Sequence, residues 1–433
     1  MTKETIKDQD KSNNPEKTKT VREKTALGRM RTFNSFRSAA FRLYFAGSAG
    51  QWSAMNMDMV ARSLLIYRLT GSATILGVMA LVNAIPWLFI SPLGGVLADR
   101  VQKKYIMFAS QTASAIISLA LALMLTTGYV SPERAGSWWV LVVASLLQGG
   151  VMGLMLPSRQ AVVAEIVSEG HIMNAVALNN LGMNTLRFIA PALTGFIIDH
   201  FGFAAVFYTM TGLSLTGAIF IAFLPLTSRI SVRTSGTLGS IKEGFRYIVH
   251  KPTIMVTLVF SLLAIVLSMP YMTLAPIFTE DILKVGATGL GILMSVSGIG
   301  AMLVSLVLAS LPNRKRGVML IASGLVSGLA LVVFSFSHSW SLSLVSIVFV
   351  GLGQAAWLTL GNTLLQSYTE PAYLGRVMSI YMMQFGLQNL ATFMAALLAE
   401  AAGAPAALGS LAIALVLLSV LTVVFIPRLR RLE

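Results

Sequence analysis

This chain writes one structural unit twice. Gly149-Gly150-Val151-Met152-Gly153 leads into Pro157-Ser158-Arg159-Gln160 and then Asn174-Ala175-Val176-Ala177-Leu178. Gly351-Leu352-Gly353-Gln354 leads into Gly361-Asn362-Thr363-Leu364-Leu365-Gln366 and then Arg376-Val377-Met378-Ser379-Ile380. The register holds without a gap: Gly149 and Gly351, Gln160 and Asn362, and Asn174 and Arg376 each lie 202 residues apart. An earlier pair agrees at an offset of 211, Leu97-Ala98-Asp99 with Lys103-Lys104 against Leu308-Ala309-Ser310 with Arg314-Lys315. Such a duplication admits few folds: two copies of one bundle stand side by side, and a binding site belongs between them.

The copies are apolar enough to be membrane-embedded, since 55% of residues are hydrophobic and only 11% charged. With the duplication, this implies a secondary transporter. The net charge of +15 raises nucleic acid as a partner, but its placement argues otherwise. Of 32 Lys and Arg, 11 lie in the head from Lys3 to Arg42, and 16 more fall in loops or helix ends assigned to one membrane side. Only Arg68, Arg134 and Lys284 fall on the other side. This is positive-inside bias, which puts both termini in the cytoplasm and gives the chain a lipid rather than a nucleic-acid partner.

The chain has no cysteine, so disulfides, thiolate metal sites and thiol catalysis are excluded. His171, His200, His250 and His338 lie at or near span ends, with no mid-membrane pair to hold haem. No G-x-x-x-x-G-K-[ST] loop marks an ATPase. The expectation is therefore a protein that is not an enzyme and has no cofactor or metal. The first thirty residues carry no apolar run, so no cleavable leader is expected.

The hydropathy pattern predicts an all-α fold of about twelve spans, centred near Ala54, Pro86, Ile116, Gly149, Phe188, Leu213, Leu262, Ser297, Val326, Gly353, Leu387 and Leu415. The expected organisation is a disordered basic cytoplasmic tail over 1–36, a six-helix lobe over 37–226, a linker over 227–252, a second six-helix lobe over 253–427, and a basic tail over 428–433. In the linker, Ile241, Phe245, Ile248 and Val249 fall on one face beside Lys242, Arg246 and His250. That stripe predicts an amphipathic helix lying on the inner membrane surface. Pro270 and Pro276 are expected to kink the seventh span near its outer end.

Between the second and third spans stands Gly95-Val96-Leu97-Ala98-Asp99-Arg100-Val101-Gln102-Lys103-Lys104. It resembles the loop motif G-x-x-x-D-[RK]-x-G-[RK]-[RK] of the major facilitator superfamily, with Gln102 in place of the second glycine. Pro157-Ser158-Arg159-Gln160-Ala161 followed by Asn174-x-x-Ala177-Leu178-Asn179 is similar to one bacterial branch of that family, the enterobactin-exporter-like and macrolide-efflux-like proteins. Tyr368-Thr369-Glu370-Pro371 with Gly375-Arg376-Val377-Met378-Ser379 is similar to the same branch. Arg187-Phe188-Ile189-Ala190-Pro191-Ala192-Leu193-Thr194-Gly195 resembles the antiporter signature G-P-x-x-x-G, with Ala190 for the first glycine. The family's fourth-span pattern R-x-x-Q-G departs here, because Ser145 stands where the arginine is expected before Gln148-Gly149.

The resemblance implies two lobes that rock about a central site, a bacterial cytoplasmic membrane, a monomer, proton coupling and outward transport of a small molecule. It also implies gating residues. The loop after span two of one lobe meets the start of span eleven in the other, which places Gly95, Asp99, Arg100, Lys103 and Lys104 opposite Arg376. Pro191 and Gly195 belong to the antiporter segment. The repeat equivalents of Asp99 and Arg376 are Ser310 and Asn174, both neutral, so an asymmetric inner gate is expected.

The first span carries the sharpest site signal. Tyr44, Ser48, Gln51, Met55, Asp58 and Arg62 step by four, three, four, three and four residues, so they share one helical face. Polar groups stacked on one face of a membrane helix look at a cavity or at partners rather than at lipid. Asp58 is either a structural partner of Arg62 one turn away or a coupling carboxylate, and both readings stay open. Arg187, with Asn180, Asn184, Met183 and Thr194 near its face, needs an acid, carbonyls or an anionic substrate. Asp58 is its natural partner if the first and fifth spans touch, as the resemblance implies. Asp199 and Glu400, near the outer span ends, are expected to be solvated.

Gln148, Gln354, Gln384 and Gln388 add neutral polar groups, with Trp357, Tyr271 and several methionines around them. Thioethers and aromatic walls suit varied amphipathic ligands, such as a drug, macrolide or siderophore-like compound. Two alternatives remain: an importer of a nutrient or lipid on the same fold, and a membrane sensor that does not transport.

Overall fold

The computed structural model describes residues 35–134, 136–168, 171–226, 237–311, 315–430 and 432. Nine helices among them are long and apolar enough to cross a membrane. One of the nine, Ile172–Ala222, is two helices joined at Gly202, whose φ of 79° and ψ of 174° leave the helical region. Only glycine takes that backbone conformation without strain. Ala39–Thr70 and Ala73–Arg100 precede these helices. Twelve spans result, in chain order Ala39–Thr70, Ala73–Arg100, Lys103–Thr126, Trp139–Ile166, 172–201, 203–222, Pro252–Ile282, Gly286–Ser310, Arg316–Phe336, Trp340–Tyr368, Leu374–Ala402 and Ala404–Phe425. Each of the twelve centres read from the sequence falls inside one of them. No strand occurs among the described residues.

The turns between spans are short and chemically specified. Ser38 caps the first span by accepting from the Phe41 amide, and Gly71 ends it in the left-handed region at φ 62°. Ser72 then caps the second span, accepting from the Ile75 amide. The seventh span breaks after Ser268 and resumes at Tyr271, across Met269 and Pro270. Beyond Pro276 it continues as a π-turn over Phe278–Ile282. A proline nitrogen donates no helical hydrogen bond, so both interruptions stand where the sequence removes a donor.

The lobes meet through two equivalent pairs, spans two and eleven and spans five and eight. Close approach needs glycine at the second contact. A Cβ on Gly195 would lie 2.2 Å from the Ala287 carbonyl oxygen, and one on Gly291 would lie 2.3 Å from that of Pro191. Without a hydrophobic drive inside lipid, such backbone-to-backbone packing is what holds helices together.

Among the described residues, the apolar core is continuous across the lobes at one end only. One cluster runs across both lobes, from Leu64, Leu76 and Phe207 to Phe278, Leu290 and Ala396. At the opposite end the core divides. Phe41, Met107, Val162 and Ile221 pack within the first lobe, while Phe260, Leu320 and Leu360, and separately Ile254, Leu365 and Val377, pack within the second. Among the described residues, one core cluster therefore joins the lobes at the end bearing the 70–72 turn, and separate clusters serve each lobe at the other.

The linker helix spans Thr237–His250 and docks on the second lobe. Ile248 is buried beside Ile254 and Val377, whereas Phe245 and Val249 stay exposed. Tyr247 stacks on Tyr373 at 4.2 Å, Glu243 pairs with Arg376 at 2.9 Å, and Lys251 pairs with Glu370 at 3.0 Å. The first lobe has a smaller counterpart: the amide and hydroxyl of Ser35 both donate to Asn174 Oδ1. Arg376 and Asn174 are repeat equivalents, so each lobe ties the segment before its first span to the start of its own fifth span. The predicted tail, apart from Ser35 and Phe36, lies outside the described residues, as do linker residues 227–236 and the Ile241 and Lys242 side chains.

Candidate functional site

Between the lobes lies a cavity of about 410 Å³. Its walls come from the first, second and fourth spans, with Met272 and Thr273 of the seventh and Gln388 and Asn389 of the eleventh. Of the residues singled out in the sequence, Met55, Asp58, Arg62, Gln148 and Gln388 line it. Gln51 is buried beside it and donates weakly to the lining residue Met152, at 4.0 Å.

Asp58 and Arg62 form a tight pair, with Nη2 to Oδ1 at 2.6 Å and Nε within 3.2 Å of both carboxylate oxygens. Arg62 Nη1 also donates to Ser145 Oγ at 3.2 Å and to the Leu141 carbonyl at 3.4 Å. The fourth span thus carries serine where the family pattern has arginine, and the first span delivers a guanidinium against that serine. Gln148, one turn on, donates to Ser114 at 3.1 Å.

The expected pairing of Arg187 with Asp58 does not occur, because Arg62 already occupies both oxygens of Asp58. Arg187 and Asn184 are exposed on the fifth span. Tyr271, Gln354, Trp357 and Gln384 are all buried and do not line the cavity. Tyr271 shares a hydrogen bond with Ser297, and Trp357 sits in the second lobe's own core.

Lys103 is buried and pairs with Glu165 within the first lobe at 2.6 Å. Arg100 is exposed and Lys104 half-buried. The Gly95 and Asp99 side-chain positions lie outside the described residues. Arg376 pairs with Glu243 of the linker helix at 2.9 Å; the side chain of Asp99, its expected partner, lies outside the described residues. Pro191 and Gly195 sit at the contact between spans five and eight, where the Ala192 amide donates to Ser295 Oγ at 3.1 Å.

Above the cavity, at the joined end, polar groups bind lobe to lobe. Arg68 makes a two-point contact with Glu280, at 2.8 and 3.1 Å, and the Tyr67 hydroxyl donates to Asp281. Two further carboxylates act as crossed helix caps. Asp199, ending span five, accepts from the Thr288 amide in the first turn of span eight at 2.7 Å. Glu400, ending span eleven, accepts from the Ser72 hydroxyl and the Thr74 amide at the start of span two, both at 3.0 Å. Each carboxylate faces the positive end of a helix from the other lobe. Both acids are solvent-exposed, as expected, and each also ties the lobes together. A sequence signal existed: Asp199 and Glu400 lie 201 residues apart, one residue off the repeat register.

The chain matches the family model described as Major Facilitator Superfamily over residues 39–387 and 271–433. It is 24% identical to a staphyloferrin A transporter of Staphylococcus aureus, covering 85% of this chain and 89% of that protein. It is 27% identical to the enterobactin exporter EntS of Shigella flexneri, covering 73% and 71%. A match of 26% identity to the MFS-type transporter YfiS of Bacillus subtilis spans 62% of this chain and 61% of the relative. Among solved structures, the nucleoside transporter NupG superposes with a TM-score of 0.67 at 15% identity, covering 90% and 98%. A bacterial homologue of the lysosomal transporter Spinster gives 0.66 at 13%, covering 93% and 96%. At such identities the structural likeness speaks for the fold alone.

Proposed function

The chain belongs to the major facilitator superfamily, and from that premise we propose that it is a secondary active exporter of amphipathic small molecules, driven by protons and working by alternating access. The observation that carries this reading is the divided core: one apolar cluster seals the lobes at one end, and separate clusters hold them at the other. A central cavity closed by a polar clamp at one end and flanked by independent lobes at the other is the geometry of a transporter loaded from one side. The positive-inside pattern makes the divided end cytoplasmic, in a bacterial cytoplasmic membrane with both termini inside.

The cavity supports the substrate class. Met55, Met59, Met79, Met152 and Met272 give it adaptable apolar walls, while Asp58, Arg62, Gln148 and Gln388 add polar groups. A drug, macrolide or siderophore-like compound fits that description better than a sugar. Outward direction is supported by the Arg187–Gly195 segment and by the exporter among the relatives. Asp58 is the acid best placed to couple protons, since it is the acid that lines the cavity. Overexpression is expected to lower cellular accumulation of at least one compound in a panel of dyes and antibiotics, and an uncoupler to restore it. Uphill uptake into cells would instead establish the importer alternative.

A further inference from the structure

The cavity's charges do not balance. The charged residues lining it are Asp58, Arg62 and Arg159. Asp58 and Arg62 neutralise each other. Arg159 has no acid partner among the described residues, and its Nη1 is sealed from solvent without an acceptor. Tyr44 donates to the Arg159 backbone carbonyl, at 3.4 Å, and so does nothing for the guanidinium charge. A guanidinium sealed from solvent without a counter-charge is costly, and a ligand that supplies that charge relieves the cost.

The surroundings of Arg159 fit such a ligand. Trp52, from the first span, lies with its ring centroid 6.0 Å from the guanidinium carbon and fixes the cation by its π-face. Trp52 is itself buried, and its Nε1 has no acceptor; Gln51 Oε1 beside it has no donor. Buried polar atoms without partners occur elsewhere in both lobes, but of these three groups Arg159 itself lines the cavity. Leu156 and Met152 lie one turn or two from Arg159 on the same span and line the cavity with it. An apolar chamber therefore leads to a single positive group whose planar fork suits a carboxylate.

Resting on the reading of this cavity as the substrate chamber, we infer that Arg159, held by Trp52, anchors an anionic head group, so that the transported compound is an amphipathic anion. The apolar body lies among the methionines, and the acid meets the guanidinium.

The test compares naphthalene-2-carboxylate with naphthalene-2-carboxamide, which share a ring and differ in charge, binding the full purified chain by calorimetry. The carboxylate is expected to bind about tenfold or more tightly. Arg159→Gln should reduce that ratio to near one while leaving carboxamide affinity unchanged, and Arg159→Lys should keep part of it. If Arg159→Gln fails to fold, a lowered ratio in Arg159→Lys with unchanged carboxamide affinity decides in favour. Equal affinities in the parent protein, no binding of either compound, or a preference that survives Arg159→Gln would overturn the inference. An Arg159-dependent preference in a protein that expels neither compound from vesicles upholds the anion site and removes the export reading instead.

Discussion

Neutralising both crossed caps with Asp199→Asn and Glu400→Gln should release the outer end of the molecule. Each substitution keeps the shape and an acceptor oxygen but removes the charge that faces a helix N-terminus of the other lobe. A charge so placed is worth about 0.3–1 kcal/mol when partly exposed. The two together hold the closed form by about 0.6–2 kcal/mol, a factor of roughly 3–30 in population. The Arg68–Glu280 pair, with both side chains partly exposed, remains and contributes about 1 kcal/mol at most. The native chain has no cysteine, so a spin-label pair at Thr127→Cys and Ser341→Cys, in outer turns of opposite lobes away from the clamp, reports on this end alone. Pulsed dipolar spectroscopy should show the longer interlobe distance gaining in the double variant, with each single variant giving about half the free-energy shift. An unchanged distribution, or an equal change from Lys284→Gln on the same face, would refute the crossed-cap reasoning.

Asp58→Asn should abolish uphill transport but spare downhill exchange if Asp58 couples protons; full uphill transport in Asp58→Asn with Arg62→Gln would reject that role. Gly195→Ala would put a Cβ 2.2 Å from the Ala287 carbonyl oxygen, so the outer contact of spans five and eight cannot close, and a label in the outer half of the cavity should become reachable from outside. Glu243→Gln should free Arg376 and loosen the linker helix, read as faster hydrogen exchange over 243–250. The Lys251–Glu370 tie should be insensitive to physiological pH. Glu370 raises the ammonium above its ordinary value of 10.5, so the tie is complete below that value and is lost only as pH climbs through the raised one. A fluorophore on Phe245→Cys should report no undocking between neutral pH and about pH 9.

The fold was legible because its determinants are linear. Span length, glycine turns and a gapless 202-residue register can all be read along the chain. The first-span face was legible for the same reason: Met55, Asp58 and Arg62 share a helical stripe and line the cavity together. Other parts depend on which helix meets which. A mid-span polar residue faces either the cavity or a neighbouring helix, and periodicity does not separate the two; Tyr271, Gln354 and Gln384 turn to neighbours. The clamp was hidden because each carboxylate finds its partner in backbone amides of the other lobe, groups that every helix start possesses. Ser145 shows a third limit. The family arginine is missing from the fourth span, yet a guanidinium reaches Ser145 from Arg62 of the first span, a contact that the fourth-span pattern alone does not reveal.

Transport in everted membrane vesicles tests the central claim most directly. An acidified lumen should drive naphthalene-2-carboxylate, or another compound from an amphipathic panel, into the vesicles above its outside concentration, and a protonophore should abolish the gain. Uphill movement in right-side-out vesicles instead, or no gradient-driven movement in either orientation, would contradict it.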